Sequence, residues 1–153
     1  MKKTILNLVI YVLLFSVLIY SGINIYKWYK DKNNNNEIAE KIKDAVIVEN
    51  NENEDQNKEE YTIDFNKLKE QNRDAVAWIK VSNTNIEYPV VKTENNEFYL
   101  NHSFDKSENS AGWIFADYRN KFDGKDKNII VYGHNMREGS MFGSLKNILT
   151  SKW

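Results

Sequence analysis

The chain has 153 residues, a formal net charge of -1, no cysteine and a single proline, Pro89. That length allows one domain plus accessories. The charge balance and the lack of a basic patch interleaved with aromatics argue against nucleic acid as a partner. Without cysteine there is no disulfide framework, no thiolate metal site and no thiol nucleophile among these residues.

From Met1 the sequence is basic for two residues, Lys2 and Lys3, and then almost wholly apolar from Ile5 to Ile25. Roughly 20 such residues cross a hydrocarbon core as a helix. Tyr26, Trp28 and Tyr29 follow as an aromatic belt. Residues 1–26 are therefore expected to be an uncleaved single-pass anchor with its amino end in the cytoplasm and the following domain outside. A cleaved signal peptide competes with this reading, but the apolar run is long and no A-x-A-like cleavage site follows it.

Residues 27–60 read as a polar linker. Asn33 to Asn36 and the Asn-, Gln- and charge-rich stretch from Asn50 to Glu60 bury too little apolar surface to offset ordering entropy. Between them Ile38, Ile42 and Val46 recur at helical spacing, which predicts an amphipathic helix over Glu37 to Val48. Residues 61–153 carry the folded pattern. Asp64 is placed to N-cap a helix running to Ala77. Strands are expected at Trp78 to Val81, Ile86 to Val91, Gly112 to Phe115 and Asn128 to Tyr132. Pro89 marks an edge or a bulge in the second. Short helices are expected at Glu94 to Asn101 and Met141 to Leu149, and Asp117 to Lys127 reads as a charged loop. Short strands alternating with single-turn helices favour a mixed β-barrel over a βαβ sheet. Trp78, Trp113, Tyr88 and Phe115 lie in strand-like runs and are read as core.

His134 stands directly beyond Ile129-Ile130-Val131-Tyr132-Gly133, at the end of a strand. Its side chain titrates near neutrality, and a strand end is rigid enough to hold a general acid or base. A lone histidine there is more often one that caps the strand end or satisfies a loop carbonyl, and His102 is read as such a residue in a polar loop. A zinc site built from His102, His134 and Asp117 lacks any H-E-x-x-H-type spacing. The Asp123-Gly124-Lys125-Asp126 loop lacks the alternating ligands of an EF-hand and reads as a solvated turn. No cofactor and no metal are expected.

An ordered series of blocks resembles class B sortases, the membrane-anchored cysteine transpeptidases of Gram-positive cell surfaces. The blocks are Asn83 to Val91, Asn96 to His102, Gly112 to Asn120 and the His134 segment, preceded by the apolar amino end and the helix leading into Trp78-Ile79. The resemblance implies an eight-stranded β-barrel with flanking helices, here an incomplete, mainly β barrel behind a transmembrane helix. It implies that His134 is the catalytic histidine and that Asn96 and Leu100 line the substrate groove. It also implies a cysteine and an arginine in segments this sequence does not contain. Arg73, Arg119 and Arg137 precede those segments and match neither. The chain is thus expected to be the amino-terminal portion of such an enzyme, inactive by itself. The implied partners are a sorting-signal peptide, a cell-wall precursor or pilin amine, and the membrane. The alternative is a non-catalytic, membrane-tethered module that binds peptide or anchors.

Overall fold

The computed structural model describes residues 2–49 and 60–149. It divides into two compact units, Met1–Asn34 and Asn35–Trp153. A single α-helix, α1, Lys2–Lys43, belongs to the first unit over most of its length and to the second over its final turns.

In the first unit the large apolar side chains from Ile5 to Ile25 are 44–70% exposed. Two of the polar side chains that interrupt this stretch fold back on the helix. Ser16 Oγ donates to Leu13 O at 2.7 Å and Asn24 Nδ2 to Tyr20 O at 2.8 Å. Such internal satisfaction is what an apolar solvent requires of a polar side chain. The helix is long and apolar enough to cross a membrane.

The second unit begins inside the stretch read as linker. The helix runs unbroken through Asn33 to Asn36, because Asn35 is buried and hydrogen-bonded to Asn109, Gly112 and Ser103. Ile38 and Ile42 enter the core, as their spacing predicts. The helix stops at Lys43, short of the expected Val48, with Lys41 and Lys43 complementing its negative end. The β-branched run Val46–Glu49 instead forms strand β1, antiparallel to β2, Glu60–Ile63. The tract read as disordered over 50–59 lies outside the described residues.

Asp64 caps α2, Phe65–Gln71, by accepting from Asn66 N at 3.0 Å and Lys67 N at 3.2 Å. The helix ends six residues before the expected Ala77. Asn72 turns the chain extended, and its side chain holds Tyr99 Oη and Phe104 O, each at 2.7 Å. Ala75 and Val76, read as helical, start strand β3, Ala75–Lys80. A turn with Asn83 at φ +61° leads to β4, Glu87–Val91. Strand β5, Phe115–Ala116, is parallel to β4, and β6, Val131–Tyr132, is antiparallel to β5. The result is a partial mixed sheet in the order β3-β4-β5-β6. Pro89 pairs with Trp78 on one side, whereas the parallel pairing on the other begins only at Val91. Its missing N–H therefore faces no strand. The two expected short helices are tighter 3-10 turns, Phe98–Leu100 and Gly143–Leu149.

The core packs Ile38, Ile42 and Leu68 with Val90, Val91, Tyr99, Phe104, Trp113, Ile114 and Phe115. Trp113 meets Tyr88 edge to face at 5.6 Å and donates its Nε1–H to Pro89 O. Trp78 and Tyr88 are only partly buried at its rim.

Candidate functional site

Strand β6 delivers His134 through Gly133. A Cβ at Gly133 would collide with Ile114 Cδ1 and crowd the Phe142 ring, so only glycine lets the strand end pack this closely. Beyond the histidine the chain folds back on itself. Phe142 N donates to His134 O at 3.0 Å, and Asn135 bridges to Met141. Met141 N in turn donates to Tyr88 Oη at 3.3 Å. Both strand and return loop thus fix the backbone of His134.

The ring is partly exposed, and its Nε2 lies 2.7 Å from Leu100 O. The carbonyl accepts, so Nε2 carries the proton. The Leu100 side chain is 45% exposed beside this contact. The structure therefore brings two of the three sequence-identified residues together, through the main chain of one and the ring of the other.

Asn96 is placed differently. Its Nδ2 donates to Asp117 Oδ2 at 2.9 Å and its Oδ1 accepts from Tyr118 N at 3.0 Å. Both ends of the amide serve a corner built around Asp117, which is 99% buried by side-chain area. That carboxylate accepts from Arg119 Nε and Nη2, each at 2.8 Å, from Arg119 N at 3.0 Å and from Tyr132 Oη at 2.8 Å. The Arg119 side chain and its backbone N–H, with help from Tyr132 and Asn96, hold the Asp117 carboxyl well below the usual carboxylate range. The same contact raises Arg119, and the bond to Asp117 raises the Tyr132 phenol. Because Tyr132 lies on β6, this corner ties the strand that carries His134 to the end of β5.

The sequence pattern places Asp117 at the start of a charged loop. The signal was a carboxylate directly after the apolar run Trp113 to Ala116, followed two residues later by Arg119. A charge next to buried strand residues needs a partner close by. Since its oxygens are engaged by Arg119, Tyr132 and Asn96, Asp117 is not a free metal ligand. His102 is engaged locally: Nδ1 bonds Phe98 O at 2.7 Å and the ring stacks on Phe98 at 4.0 Å. At His134 one ring nitrogen, Nε2, is anchored, and the other, Nδ1, makes no hydrogen bond among the described residues.

No protein-family model matches the chain. Individual relatives do. The sortase B of Listeria monocytogenes is 44% identical over 82 residues, which is 54% of this chain and 33% of that protein. Among solved structures, sortase B from Bacillus anthracis in complex with AAEK1 aligns with a TM-score of 0.64 at 35% identity, covering 79% of this chain and 56% of that one. A Staphylococcus aureus sortase B–substrate complex aligns with a TM-score of 0.54 at 38% identity, covering 56% and 40%. The chain thus spans about a third of the length of the curated relatives it matches, 33% and 35%.

Proposed function

We propose that this homologue of class B sortases supplies the histidine-bearing part of a membrane-anchored cysteine transpeptidase that cleaves a surface-protein sorting peptide and joins it to a cell-wall or pilin amine. The observation that carries the reading is His134 itself. It sits at the end of a strand within the blocks that resemble class B sortases, anchored by one nitrogen and open at the other. In this chemistry a neighbouring imidazolium favours the thiolate that attacks the peptide carbonyl. The imidazolium then protonates the departing amine, while an arginine stabilises the oxyanion. The thiol and that arginine are assigned to the whole protein, since no cysteine occurs in these 153 residues. The apolar length of α1 supports a single membrane span, with its amino end in the cytoplasm and the domain on the outer face.

A second reading is a tethered module that binds the peptide without cutting it. One experiment separates the two. Protein isolated from its own membranes is incubated with peptides drawn from the organism's surface proteins, with and without thiol alkylation. Cleavage should stop on alkylation and fall by roughly 10²–10⁴ in His134→Ala. Binding without cleavage in the untreated protein supports the module, and cleavage indifferent to both treatments contradicts both readings.

A further inference from the structure

We infer that the Leu100 carbonyl fixes the tautomer of His134, holding the ring as its Nε2–H form so that Nδ1 is the nitrogen that gives and takes the reaction's proton. A backbone carbonyl has no proton to offer, so the 2.7 Å contact places one on Nε2. Which nitrogen is protonated in a neutral imidazole is set by the bond the other makes.

The carbonyl is itself held. Gly112 lies against it at φ +55°, where an added Cβ would overlap Tyr99 O and come within 2.7 Å of Leu100 O. Trp113 N donates to Tyr99 O at 3.0 Å on the same turn. Gly112 O accepts from Asn35 Nδ2 at 3.3 Å, and Asn35 Oδ1 accepts from Asn109 Nδ2 at 3.0 Å and Ser103 Oγ at 2.5 Å. Asn35 is 5% exposed. The end of α1 therefore braces the loop that aims the carbonyl, which makes Asn35 and Gly112 positioning residues for His134. His102 is a reference within the same molecule: its Nδ1, not Nε2, faces a carbonyl, so it takes the opposite tautomer.

The chemical consequence rests on the function proposed above. The proton of the protein's thiol passes to Nδ1 and leaves an imidazolium paired with a thiolate. Sulfur bonds to the scissile carbonyl carbon, and the C–N bond breaks as the Nδ1 proton moves to the amine nitrogen. The Nε2–H stays on Leu100 throughout.

The test is 15N NMR of the full chain labelled at histidine, in detergent micelles above about pH 8, where imidazole is neutral. The His102→Gln variant assigns the two rings. His134 should show a protonated Nε2 with an observable, slowly exchanging proton, and His102 a protonated Nδ1. A His134 ring protonated on Nδ1, populated as an even mixture, or exchanging its proton like free imidazole overturns the inference. Asn35→Ala should speed exchange of the His134 Nε2 proton at least fivefold and leave His102 unchanged. Equal effects on both rings, or none, would remove the brace. Because no substrate is used, the tautomer result stands or falls apart from peptide cleavage. Cleavage that depends on His134 with the proton on Nδ1 would sink this inference alone.

Discussion

The two ends of α1 obey opposite rules. From Ile5 to Ile25 nearly every side chain is apolar and most are exposed, whereas from Asn35 to Lys43 the sequence is two-thirds polar and yet buries Asn35, Ile38 and Ile42. Apolar residues around the whole helix leave no face to select, the pattern of a helix suited to an apolar solvent. At the other end two isoleucines one turn apart, with an amide one turn before them, suffice to make a strut of the folded unit. Burial there follows spacing and available partners, not mean polarity. One continuous helix thus carries both a stretch long and apolar enough to cross a membrane and a component of the folded unit, and the second leads through Gly112 to the histidine.

The comparison is tested most severely by Ile42→Ala. Ile42 is 1% exposed, and its truncation should lower the stability of the folded unit by about 2–5 kcal/mol. Leu13→Ala, in the apolar half, should leave unfolding unchanged when both are followed by Trp fluorescence in detergent. Asn35→Ala removes the buried oxygen that accepts from Ser103 and Asn109 and should lower stability by about 1–3 kcal/mol in the same assay.

Acid separates the halves in another way. The carboxyl of Asp117 has a folded pKa below its unfolded value, so its contribution is fully present above about pH 4, the ordinary carboxylate range. It is lost as pH falls below that toward the depressed folded value. The domain should lose stability on acidification, and Asp117→Asn should flatten that slope at the expense of stability at neutral pH. The helix from Ile5 to Ile25 contains no carboxylate, and its circular dichroism in micelles should not change over the same range. Smaller effects belong to local features. Asp64→Ala should lower the melt by about 1 kcal/mol through the lost α2 cap. Breaking the half-exposed Lys80–Glu87 pair, 3.4 Å apart, should change stability by less than about 1 kcal/mol.

What the sequence revealed follows the same division. Features set by neighbouring residues were legible: the apolar run, the Asp64 cap, the strands around Trp78 to Lys80 and Glu87 to Val91, and the positions of Ile38 and Ile42. Those set by distant partners were not. Nothing local says that Asn72 ends α2, since its reason is Tyr99 and Phe104 in another loop. The continuation of α1 through Asn33 to Asn36 depends on Ser103, Asn109 and Gly112, which lie some 70 residues away (|i−j| of 68 to 77). At the candidate site His134 could be singled out by its place after a strand, and Leu100 by resemblance. That the two meet through a carbonyl could not be foreseen, because main-chain contacts leave no trace in side-chain pattern.

Amide hydrogen exchange of the full chain in lipid nanodiscs tests most directly the claim that one helix is both anchor and strut. Amides of residues 36–42 should exchange as slowly as those of β4, and both should accelerate together in Ile42→Ala while those between Leu8 and Tyr20 stay protected. Rapid exchange over 36–42 beside a protected β4 would mean that the helix end is no part of the fold, and would contradict the account.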